Sequence, residues 1–176
     1  MDPASIAIPE GDPVDYSLGV KQCGEELFLN LLEKFTVSCE AIMSRILAAY
    51  EQGDIAATRR ESHSLKGSSA YVAAMRVSKS AFRVQIACEQ LQQCQSEVGT
   101  DQPLTAMADV AAVLTAQKAL DDSMVLLKKE HRLLRGYLSR NFEFRDPSKN
   151  GNATSRSTLR GSDAAHDRAA GPCILM

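Results

Sequence analysis

His63-Ser64-Leu65-Lys66-Gly67-Ser68-Ser69 is the stretch on which the fold and the chemistry of this chain turn. It is preceded by Asp54 to Glu61 and followed by Ala70 to Ala74, with no proline between, so the whole run reads as one helix. Ile55, Ser62, Leu65, Ser69 and Val72 recur at three- and four-residue steps, which gives this helix a small, mildly apolar buried face. His63 stands two positions before Leu65, about 200° around a 3.6-residue helix, so burying Leu65 turns His63 to solvent. Its neighbours one turn away are Arg59, Arg60, Lys66 and Gly67. The imidazole is flanked by cations on two sides and by a missing side chain on a third.

A glycine inside a helix costs about 1 kcal/mol relative to alanine, so Gly67 must have a use. A flat surface one turn from His63 would let another protein's active site come close to the ring. Lys66 would supply a positive charge to an anionic group carried by the imidazole, such as phosphoryl. A neutral ring nitrogen has the lone pair needed to attack phosphorus.

Positions 63 to 74 resemble the histidine-containing phosphotransfer (HPt) family, whose usual pattern is His-x-Leu/Phe-Lys-Gly-Ser-Ser/Ala-x-x-x-Gly-Ala. The match fails at one fixed place: Ala73 stands where the family has a second glycine. The added methyl is expected to tighten or shift the helix crossing behind the site, with an effect on partner choice. Arg76-Val77 and Cys88-Glu89 are similar to plant-type members, and the resemblance extends over residues 15–140. It implies that His63 is the phosphosite, Lys66 its charge partner and Gly67 the access residue. Arg59 and Arg60 are assigned to docking from helical position alone. It also implies a phosphocarrier rather than an enzyme, accepting a phosphoryl group from one receiver's aspartyl-phosphate and passing it to another receiver, the partners being the receiver domains of hybrid histidine kinases and response regulators. ATP and Mg²⁺ would belong to those partners, with no cofactor held by this chain.

Charge is uneven along the sequence. Residues 1–54 hold ten acids against three bases, whereas residues 59–83 hold six bases against one acid. The basic stripe surrounds His63 and suits an acidic partner surface, such as a receiver's aspartate cluster. A net charge of −2 gives no bulk electrostatic case for nucleic acid, and the stripe lacks interleaved aromatics. The five cysteines (Cys23, Cys39, Cys88, Cys94, Cys173) show no CxxC spacing, and the first three fall on or near apolar helix faces, as small hydrophobes do. No metal site is expected, because no histidine or cysteine pair stands at ligand spacing. His131 and His166 are expected to be ordinary surface or capping residues.

The expected fold is all-α: an up-and-down four-helix bundle over residues 15–144, preceded by a flexible stretch at 1–14 and followed by a disordered tail at 145–176. A short helix is expected at Asp15–Gln22 and a long one from Glu25 to Glu51, with Phe28, Leu31, Phe35, Ile42, Ile46 and Ala49 inward. Val77, Ala81, Val84, Cys88 and Leu91 mark a third long helix that fades at Gly99. After the breaker Gly99-Thr100-Asp101-Gln102-Pro103, a last helix runs from Leu104 to Phe142, with Leu120, Met124, Leu127, Leu134 and Leu138 inward.

No basic-then-apolar leader opens the sequence and no run approaches 18 apolar residues, so a cytoplasmic protein is expected. The last four residues, Cys173-Ile174-Leu175-Met176, fit the prenylation signal, with methionine favouring farnesyl. One lipid chain binds bilayers reversibly, and the net +2 of residues 145–172 adds little. Part of the population is therefore expected at membranes or in the nucleus. The competing reading is a prenylated helical adaptor that keeps an HPt-like bundle without relaying phosphate. An exposed His63 face argues for a monomer.

Overall fold

Helix boundaries fall where local chemistry forces them. Asp15 caps α1 (Tyr16–Cys23) by accepting the Leu18 N–H at 3.0 Å, and Asp54 caps α3 (Ile55–Tyr71) by accepting that of Ala57 at 2.8 Å. Between them α2 (Glu25–Glu51) ends in a reversal built on Gly53, at φ 71°. Two long helices follow, α4 (Met75–Val98) and α5 (Ala106–Asn141). The computed structural model describes residues 1–98 and 106–142. Among these the one further element is a turn of 3-10 helix at Pro3–Ser5. The breaker at 99–103, the start of the last helix at Leu104, and the tail lie outside the described residues.

Helices α2 to α5 form the up-and-down bundle that the periodicity predicts. α3 packs between α2 and α4, and α4 packs on α5. Val77, Ala81, Val84, Cys88 and Leu91 are fully buried, as are Leu120 and Leu127 across from them. On α2 the deeply buried leucine is Leu32, while Leu31 is half-buried. The α2–α5 seam is closed by longer side chains. Tyr50 Oη donates to Asp121 Oδ1 at 2.6 Å, and Glu40 Oε1 lies 3.1 Å from Arg135 Nε. α1 lies against α2 at Gly19, where any Cβ would run into the Phe28 ring.

Two expectations need correction. The helix bearing His63 does not run through to Ala74. It stops at Tyr71, and Ala73 takes a left-handed backbone with φ 54°. The Ala74 N–H bonds to the Ser69 carbonyl at 2.8 Å and that of Ala73 to Ala70 at 3.1 Å, the paired bonds of a Schellman ending. α4 begins at once, so this tight turn sets how α3 and α4 lie together.

The second correction concerns residues 1–14, which are not loose. Arg83 donates to the carbonyls of Ile6 (2.7 Å) and Ala4 (3.1 Å), Arg76 to Gly11 (2.8 Å) and Gln90 to Met1 (2.9 Å). Ile6 and Val14 are buried. Residues 76, 83 and 90 recur every seventh position, on one face of α4, so three long polar side chains hold the segment as a strap.

Candidate functional site

The site lies on the groove between α3 and α4, at the level where α4 is pinned to α3. Ser78 Oγ donates to the Lys66 carbonyl at 2.9 Å, and small buried residues (Ser69, Ala74, Ala81) line the contact. Ser69 spends its hydroxyl on the Leu65 carbonyl at 2.6 Å, so the second serine of the motif serves packing.

His63 is exposed on the outer side of this groove. Its Nδ1 lies 3.2 Å from Gln85 Oε1. A carbonyl oxygen can only accept, so the contact puts the ring proton on Nδ1 and leaves the Nε2 lone pair facing outward. This tautomer is assigned from the hydrogen-bond network. Gln85 Nε2 in turn donates to Glu89 Oε1 at 3.1 Å, and Arg59 Nη1 lies 3.5 Å from that same oxygen. The four residues form one line: Arg59, Glu89, Gln85, His63.

Gly67 is exposed, and a Cβ built there would meet nothing within 4 Å. Nothing among the described residues requires this glycine. Lys66 is half-buried, with Nζ 5.0 Å from the centre of the Phe82 ring, a cation–π contact worth about 0.5–1 kcal/mol at such a position. It pairs with no carboxylate among the described residues, so its charge stays open to an incoming anion. The two arginines differ. Arg59 is engaged with Glu89, and Arg60 lies 3.7 Å from Glu61, which Arg45 also holds at 2.8 Å. Such exposed pairs are worth about 0–1 kcal/mol each and exchange readily.

The basic stripe at 59–83 is thus not one docking surface. Arg76 and Arg83 hold the strap, and Arg76 also pairs with Glu130 at 2.8 Å. Lys66, Arg59 and Arg60 are the stripe's cations on the His63 helix. Sequence reading noted Glu89 only as part of the family resemblance, and gave neither it nor Gln85 a role at the site. Their signal was a polar pair four apart on one face of the next helix, which becomes meaningful once the antiparallel register sets 85 opposite 63 and 89 opposite 59. Cys173 lies outside the described residues. Among those described, no helix is long and apolar enough to cross a membrane.

The described helices thus form an antiparallel bundle that displays His63 on an open helix face, with Lys66 and Gly67 one turn on. The family comparison agrees: the model of the Hpt domain matches residues 30–130, and the chain belongs to that family. Hpt domains are phosphocarrier modules of phosphorelays and work with receiver domains. Comparison with curated proteins and with solved structures gives no match.

Proposed function

We propose that this protein is the intermediate carrier of a multistep relay: His63 accepts a phosphoryl group from a receiver's aspartyl-phosphate and passes it to the aspartate of another receiver. The observation that carries this reading is the clearance beside the ring. Gly67 gives up about 1 kcal/mol of helix stability at a place where a Cβ would touch nothing among the described residues. The clearance serves something that arrives from outside. His63 offers Nε2 to that visitor, and Lys66 brings a charge that meets the phosphoryl oxygens. Arg59 and Arg60 contribute to docking once a partner's acidic groups compete with Glu89 and Glu61. ATP binding and Mg²⁺ coordination fall to the partner domains, so the protein acts as a carrier and not as an enzyme in its own right.

The test is incubation of the purified protein with a phosphorylated receiver domain and Mg²⁺. Acid-labile, base-stable phosphate is expected on His63, and His63→Gln should take up none while keeping its helical circular dichroism. Labelling that persists in His63→Gln would overturn the assignment.

Cys173-Ile174-Leu175-Met176 reads as a farnesylation signal where Met176 ends the protein, and we propose that it then holds a reversible share of the molecules at membranes. Fractionation of wild type and Cys173→Ser in a eukaryotic cell checks this, with the membrane fraction expected to vanish in the variant. An unmodified Cys173 by mass spectrometry would remove the claim. A wild type that takes no phosphate yet depends on Cys173 for its location would support the adaptor reading instead.

A further inference from the structure

We infer that Glu89 is a positioning residue for the transfer reaction: acting through Gln85, it selects which nitrogen of His63 carries the proton and therefore which one takes the phosphoryl group. This rests on the phosphotransfer reading above.

Gln85 alone is ambivalent. Its amide presents a carbonyl oxygen on one side and an NH₂ group on the other, and either could face the ring. With the oxygen toward Nδ1, the proton sits on Nδ1 and Nε2 is the nucleophile. With the NH₂ toward Nδ1, that nitrogen must accept, the proton moves to Nε2, and the outward-facing nitrogen loses its lone pair. Glu89 decides between the two. Its carboxylate can only accept, so the amide must turn its NH₂ toward Glu89 Oε1, 3.1 Å away, and its oxygen toward His63, 3.2 Å away. Reversing the amide would lose a charge-assisted hydrogen bond and set a carbonyl oxygen against a carboxylate. Glu89 stands one turn after Gln85 on α4, and Arg59, reaching over from α3, holds the same Oε1 from its other side at 3.5 Å. The carboxylate thus lies between Gln85 and Arg59, with its side chain 38% exposed.

The chemistry then needs no proton movement. The Nε2 lone pair forms the N–P bond while the bond from phosphorus to the partner's aspartyl oxygen breaks, its electron pair leaving with the carboxylate. The Nδ1 proton stays in place, and the ring becomes a phosphoimidazolium whose N–H points at Gln85 Oε1. Onward transfer breaks the N–P bond, returns the pair to Nε2 and restores the same neutral tautomer.

The experiment records long-range ¹H–¹⁵N spectra of the ¹⁵N-labelled full chain at mildly alkaline pH. Wild type should show His63 with its proton on Nδ1. Glu89→Leu should lower the Nδ1–H to Nε2–H ratio about five-fold, the worth of one hydrogen bond. Glu89→Gln offers an amide that can donate as well as accept and should leave the ratio lowered, whereas Glu89→Asp keeps an accept-only carboxylate and should restore part of it. Gln85→Leu should lose the preference, and adding Glu89→Leu to it should lose nothing more, because Glu89 acts through Gln85. Phosphotransfer from a phosphorylated receiver should slow in Glu89→Leu in proportion to the loss of the Nδ1–H fraction, by at most about five-fold. An unmoved ratio in Glu89→Leu, or losses that add in the double variant, would overturn the role of Glu89. If wild-type protein takes no phosphate on His63, the relay reading fails, and with it the transfer half of this inference. An unmoved tautomer in a chain that does take phosphate overturns the assignment of Glu89 alone.

Discussion

At Ala73 an L-residue occupies backbone that favours glycine. Its φ of 54° is held from both sides: the N–H of Ala73 and that of Ala74 bond back into α3, and its carbonyl accepts the Asp15 N–H at 3.1 Å. A left-handed conformation costs alanine roughly 1–2 kcal/mol that glycine does not incur. Part of this is offset because alanine reduces the freedom of the unfolded chain by about 0.4–1 kcal/mol, and its buried methyl contributes about 0.8 kcal/mol. The terms nearly cancel, so Ala73→Gly is expected to leave stability within about 0.5 kcal/mol, seen as a nearly unmoved denaturant midpoint at an unchanged slope. A loss of about 1 kcal/mol or more would show that the turn carries no strain. The sequence shows this position as one extra methyl in an unbroken helical run, and a methyl count suggests a spacer in a helix crossing. The backbone angle is what matters, and it is dictated by the abrupt start of α4. His63, Lys66 and Gly67 were legible because they sit at helical spacing within one segment. Gln85 and Glu89 were not, because their meaning comes from a register between two segments.

Among the elements, α4 shows how one helix can serve three neighbours. Its apolar positions Val77, Ala81, Val84, Cys88 and Leu91 build the core, and that face was legible from spacing alone. Phe82, Gln85 and Glu89 form the second face, toward the site. Arg76, Arg83 and Gln90 form the third, which grips the first eleven residues. Three prolines and no aromatic in residues 1–14 suggested a loose segment, since such a stretch can bury little apolar area. What holds it is different in kind: buried Pro3, Ile6 and Val14, with carbonyls satisfied by side chains from α4. Donors of this sort are indistinguishable in sequence from the cations of a docking stripe. Charge runs report how many cations an element carries, and packing decides which of them remain available to a partner.

On the scale of the whole molecule, burial sets the titration behaviour. The thiols of Cys39 and Cys88 are pushed up to about 12 by burial, so they act as small hydrophobes and not as nucleophiles. Tyr50, in the α2–α5 seam, is likewise raised to about 12, by burial and then by its bond to Asp121. The remaining titratable feature of that seam is His131, which sequence reading placed at the surface. Its side chain is 12% exposed, and its Nε2 lies 3.3 Å from Glu40 Oε1 without the angle of a hydrogen bond. Burial holds its pKa below the ordinary 6.5; the charge of Glu40 opposes this and that of Arg135 reinforces it. The sign of the stability effect follows. As pH falls below 6.5 the unfolded chain takes up a proton at this position before the folded protein does, so stability drops. The contribution is fully present above 6.5 and is lost as pH falls through the lowered folded value. The raised tyrosine and cysteine groups titrate far above this window and do not mask it. Thermal unfolding of wild type from pH 8 to pH 5 should therefore show a midpoint that declines below about 6.5. His131→Gln, which keeps a polar side chain of similar reach but cannot take up the proton, should show a shallower decline over the same range. Parallel pH profiles for the two proteins would mean that His131 is as freely solvated as a surface histidine, and a wild type that gains stability on acidification would mean that the charge of Glu40 outweighs burial.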